Sequence, residues 1–203
     1  MRPLPRTGTR WLVLTGLFTL ALPALAMADA PEPRPVIDLR TQQENVHQRF
    51  LRMMSDHHEG LVQMGRHAQE RAQNPEVQAM ARRLADKQQR EQQEMLRMLR
   101  ESYNDNHQPT VMPKNRVQME QLGRLQGAEY DREFLEFVIM HHHEGNQMIH
   151  DMRPRFTRRD LREMATRMEE DQKREIAEME RMLGWPGGMM ESGGSGMAVR
   201  KDS

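Results

Sequence analysis

Apolar and polar residues alternate with a helical period along most of the chain. From Val46, the residues Phe50, Met54, His57, Leu61, Gly65 and Ala68 step by three or four, so they share one helix face while most charges take the other. Asn74-Pro75 interrupts this run, the asparagine suited to cap and the proline to open a second helix that reaches about Arg100. Its inward stripe reads Val77, Met80, Leu84, Gln88, Glu91, Met95 and Met98, which sets two polar residues on an apolar face. A connector containing Asn104-Asp105-Asn106 runs from Ser102 to Pro113, and a short helical lead-in is expected over Val117 to Leu125. A third long helix is expected from about Asp131 to Met152, stopping before Pro154. Thr157 and Asp160 have the spacing of a capping box for a fourth helix. Its stripe carries Leu161, Met164, Met168, Gln172, Glu175, Met179 and Met182, and Gly184 and Pro186 end it.

The second half repeats the first at a constant offset of 84 residues without a gap: Phe50 matches Phe134, His57 and His58 match His141 and His142, and Met64 matches Met148. The two polar stripe positions match as well, Gln88 with Gln172 and Glu91 with Glu175. Two helical hairpins follow, residues 46–102 and 128–185. Each would expose an apolar face alone, so docking them predicts an all-α four-helix bundle spanning 44–185.

Flanking composition sets the boundaries. Arg2, Arg6 and Arg10 precede an apolar run from Trp11 to Leu22, and small residues surround Leu25 and Met27, the pattern of a signal peptide cleaved after Ala26 or Ala28. The run is far short of the roughly 20 residues that span a bilayer, which argues against stable membrane insertion. A leader over 29–43 and a flexible Gly- and Met-rich tail over 186–203, with Met189, Met190 and Met197, complete the chain. The address implied is periplasmic or otherwise secreted. Thirty basic side chains balance thirty acidic ones, so charge offers nothing to nucleic acid. There is no cysteine, and any soft metal ion must be held without thiolate.

Methionine is the compositional outlier, with 20 residues against five phenylalanines, two tyrosines and two tryptophans. Methionine can be an adaptable core filler, but here it keeps register with histidine. Helical projection puts Met54 and Leu61 at the middle of the buried face, with His57 and His58 on its two shoulders and Met53 and Met64 on the same shoulder as His57. His141, His142 and Met148 repeat this, while Phe137 and Val138 replace Met53 and Met54. Imidazole suits several transition metals, whereas thioether contributes mainly to Cu(I) and its heavier congener Ag(I), so the mixture points to copper. The candidate ligands are His57, His58, Met53, Met54, Met64, His141, His142 and Met148. Glu91 and Glu175 need partners if buried, either the imidazoles of the adjacent helix, as orienting groups or fellow ligands, or neighbouring arginines such as Arg90 and Arg174. His143 and His150 fall on the outward face, and His47, His67 and His107 have no counterpart in the other repeat.

Phe-x6-His-His-x5-Met, followed by Gln-x2-Glu-x3-Met and a terminal Met-Leu-Gly-Trp, resembles the secreted bacterial family called domain of unknown function 305, over about Val46 to Trp185. The resemblance implies a ferritin-like pair of helical hairpins and a relation to periplasmic copper-tolerance proteins of the CopM type. It places the family's histidine pairs on His57-His58 and His141-His142 and its following methionine on Met64 and Met148, while Val138 departs from the methionine at Met54. The expected function is copper binding without catalysis, contributing to copper tolerance or homeostasis, with the metal ion as partner. A homo-oligomer is compatible with the sequence, and no delivery partner is indicated. The alternatives are a ferritin-like dinuclear iron or manganese redox enzyme using His57, His141, Glu91 and Glu175, and a metal-free helical scaffold. Ferritin-like di-iron sites use a Glu-x-x-His motif, which the buried stripes lack.

Overall fold

The computed structural model describes residues 39–185, with side chains from 46 onward. The signal peptide, most of the leader and the tail lie outside these residues. Five α-helices follow in order: α1 Leu39–Arg71, α2 Pro75–Tyr103, α3 Pro113–Leu122, α4 Gly127–Met152 and α5 Arg159–Leu183. α1 pairs with α2 and α4 with α5, while α1 and α4 bring the two hairpins together. The expected all-α bundle of two hairpins is present, and α1 begins inside the stretch expected to be leader. The short lead-in is a defined helix, α3, which starts at Pro113 and packs on both α1 and α4. None of the described helices is long and apolar enough to cross a membrane.

The ends of the helices follow from local chemistry. Asn74 caps α2 by accepting the Glu76 N–H at 2.8 Å, with Pro75 at the first helical position. The same turn is clipped to the second hairpin, because Asp131 accepts the backbone N–H groups of Gln73 and Asn74, each at 2.8 Å. The capping box expected at Thr157 does not form: Arg158 is the cap residue and makes no side-chain cap bond. The Thr157 backbone N–H is drawn to His47 Nε2 at 3.1 Å, and Asp160 pairs with Arg158 at 2.6 Å. These two contacts stand in place of a local bond worth about 1 kcal/mol.

The apolar core is divided. One cluster holds Leu61, Met64, Leu84, Phe134 and Met179, and the other Phe50, Met54, Met95, Leu161 and Met168. Every long helix contributes to both, and between its two contributions each places buried polar residues: His57 and His58 on α1, Gln88 and Gln92 on α2, His141 and His142 on α4, Gln172 on α5. A polar layer therefore cuts the bundle across its middle.

Candidate metal centre

Register alone brings the four histidines into this layer. His-His pairs in the two helices that pack across the hairpin interface must meet when α1 and α4 align, and they do: the His57 and His141 rings lie 3.7 Å apart between centroids and 33° from parallel. All four rings are enclosed, so they sit deeper than the helix shoulders expected from projection. The His141 Nε2–H donates to the His57 carbonyl at 2.9 Å, which fixes the tautomer and leaves Nδ1 with its lone pair.

The carboxylates settle their partners symmetrically. His58 Nε2 meets Glu91 Oε2 at 2.9 Å, and His142 Nε2 meets Glu175 Oε2 at 2.9 Å. An ionised carboxylate only accepts, so both imidazoles carry a proton on Nε2, and the Nδ1 of each is buried without a partner. Arg174, one of the arginine partners considered for these carboxylates, pairs with Asp171. The cation beside Glu175 is Lys87, at 2.9 Å, and Lys87 also holds Asp171 at 2.6 Å. Burial would raise the Glu175 pKa, but the His142 bond and Lys87 more than offset it and hold the carboxyl below its usual range.

Burial also pushes His57 and His141 well below the ordinary imidazole value; His58 and Lys114 add to this at His57, and His57 and His142 add to it at His141. Both rings are neutral at physiological pH, the state a metal ligand requires. Their nitrogens are notably idle. His57 has neither ring nitrogen bonded, and Nδ1 of His58, His141 and His142 has no partner among the protein's atoms. A buried polar atom without a partner costs about 1–3 kcal/mol, so this layer is held against stability. That cost makes sense where the lone pairs serve a cation.

The methionines divide. Met54 and Met64 are fully enclosed but belong to different apolar clusters, one on each side of the histidine layer. Met148 is partly buried against the Met54 cluster. Met53 is 37% exposed, so it does not share the enclosed shoulder expected for it with His57 and Met64: helix rotation turns Met53 to the surface. Among the described residues no three His, Asp or Glu side chains gather as a ready ligand set. The layer offers imidazoles in pairs, with thioethers above and below, which suits an ion of low coordination number and soft preference better than a dinuclear carboxylate site.

Sequence reasoning missed what surrounds the layer. α3 docks where Gly60 has no side chain, since a Cβ there would lie 2.6 Å from the Asn115 side chain, and Lys114 pairs with Glu144. His67 Nδ1 meets the buried Tyr130 hydroxyl at 2.9 Å, and His107 Nε2 meets Asp56 at 3.0 Å. These contacts join residues more than 50 positions apart, with no repeat partner to mark them. His150 is exposed beside Asp151, and His143 is partly buried.

No curated protein sequence matches the chain. Among solved structures, CopM in its Ag-bound form is 26% identical with a TM-score of 0.60, covering 70% of this chain and 98% of that one. CopM in its Cu(I)-bound form is 25% identical with a TM-score of 0.61, over 68% of this chain and 95% of that one. A DUF305 protein from Streptomyces coelicolor described as secreted is 24% identical with a TM-score of 0.60, over 66% and 90%. The family model named Domain of unknown function (DUF305) matches residues 26–99 and, again, 47–183. The second match spans both histidine pairs and both carboxylates, and the chain belongs to the DUF305 family.

Proposed function

We propose that this protein binds Cu(I), and Ag(I) in its place, in the periplasm, and so limits free metal outside the cytoplasm without catalysing a reaction. The observation that carries this reading is the mid-plane layer of four enclosed imidazoles whose inward nitrogens lack partners. Three of those rings already anchor their other nitrogen on oxygen, the arrangement that orients an imidazole toward a metal. Enclosed thioethers of Met54 and Met64 border the layer and supply softness that hard ions do not use. The likeness to CopM, which was solved with Cu(I) and with Ag, supports the choice of metal.

The ion is cargo on this reading. His57, His58, His141 and His142 hold it, Glu91 and Glu175 orient two of the rings, and Met54, Met64 and Met148 adjoin them; Met53 lies outside the enclosed set. The signal-peptide pattern expected at the amino terminus supports the address. Anaerobic titration of the mature protein with Cu(I) tests the reading: tight binding lost when all four histidines become alanine is expected. Unchanged binding in that variant overturns it.

A further inference from the structure

We propose that Gln172 is a positioning residue for His57, supplying from the opposite hairpin the outer hydrogen bond that the other three imidazoles already possess. The proposal rests on the copper-binding reading above. His58, His142 and His141 donate Nε2–H to Glu91, Glu175 and the His57 carbonyl. A ligating imidazole generally anchors its second nitrogen on such an acceptor, which fixes both ring and tautomer. His57 is the exception, buried with neither nitrogen bonded.

Gln172 is buried beside it, and neither its Oε1 nor its Nε2 has a partner. One point locates both groups. A Cβ placed on Gly145 would lie 2.8 Å from Gln172 Oε1 and 3.2 Å from His57 Cε1, so the amide and the ring flank a single notch in α4. Cε1 is bonded to both ring nitrogens, and a turn of the amide offers Oε1 to whichever nitrogen does not hold the ion. For Gln88, the matching residue of α2, only Oε1 is enclosed without a partner, and His141, the repeat counterpart of His57, already has an acceptor. The two glutamines share a register but not a task.

A residue kept only for the fold would not leave a buried amide unpaired at both ends, because that lowers stability. Gln172→Leu is therefore expected to raise the melting temperature of the metal-free chain while lowering Cu(I) affinity at least about tenfold, the usual scale for losing such an orienting partner. Gln172→Glu keeps an acceptor and is expected to retain affinity near the wild-type level. In the Ag(I)-loaded wild-type chain, ring 15N spectra should show a slowly exchanging His57 N–H that is lost in Gln172→Leu. Wild-type affinity in Gln172→Leu, or a His57 N–H indifferent to that substitution while the His58, His141 and His142 signals still respond to Ag(I), overturns this proposal alone. Ring signals that ignore Ag(I) altogether overturn the copper-binding reading with it.

Discussion

The two halves of the histidine layer have the same hydrogen bond in different surroundings. In both, an imidazole meets a carboxylate at 2.9 Å, 33 residues apart in sequence. Around Glu91 no lysine or arginine is paired with the carboxylate among the described residues, and Gln92 and Gln63 both turn to Glu59. Around Glu175, Lys87 supplies a cation and is itself shared with Asp171. The thioethers differ too, with Met54 enclosed in the first half where Val138 stands in the second. Helix register fixes the pair, while the residues outside it set how much charge and softness an ion would find. On this comparison, and on the proposed copper-binding reading, the first half is expected to be the stronger site.

The largest expected effect is on the orienting carboxylates. Glu91→Gln should weaken Cu(I) binding by about 10–100-fold, and Glu175→Gln by less, because Lys87 already neutralises that carboxylate. Competition against a chromogenic Cu(I) chelator gives both numbers, and equal losses would erase the distinction between the halves.

Stability without metal should move the other way. His57→Leu removes two unpartnered ring nitrogens, for an expected gain of about 1–3 kcal/mol. His141→Leu removes one such nitrogen but also breaks the bond to the His57 carbonyl, so its gain is smaller. Urea denaturation of each variant separates them.

Acid should erode the metal-free fold through the same two rings. Their folded pKa values are depressed, so unfolding takes up protons as pH falls below about 6.5. The stability of the neutral state is complete above that value and is lost on going down toward the folded pKa, at up to about 1.4 kcal/mol per pH unit for each ring. The double variant His57→Leu, His141→Leu should flatten this slope. The burial that depresses these values also moves the acid loss of metal binding to lower pH than free imidazole would give.

The smallest expected effect belongs to Lys87. Lys87→Gln should raise the affinity of the second half about threefold, the scale of a partly exposed charge, and leave the first half unchanged.

Much of this was legible in the sequence because the bundle depends on periodicity. The stripes from Val46 to Ala68 and from Leu161 to Met182 predict helices, and the constant offset pairs His57 with His141 and Glu91 with Glu175. The offset also identified Gln88 and Gln172 as polar residues facing inward, but it did not tell which of them faces a ring without a partner. That depends on the space left by Gly145, a contact between helices. The rotation of Met53 to the surface was equally hidden, since projection of one helix does not include the helix packed against it. The Asp131 clip and the seating of Asn115 at Gly60 join segments distant in sequence, and no periodicity marks such contacts.

The central claim is that the mid-plane imidazoles hold the ion and that the first pair holds it more tightly. Anaerobic Cu(I) competition at pH 7 on the wild-type chain, on His57→Ala with His58→Ala, and on His141→Ala with His142→Ala tests it most directly. Affinity is expected to fall in both variants, and further in the first. Wild-type affinity in either variant, or a greater loss from the second pair, would contradict it.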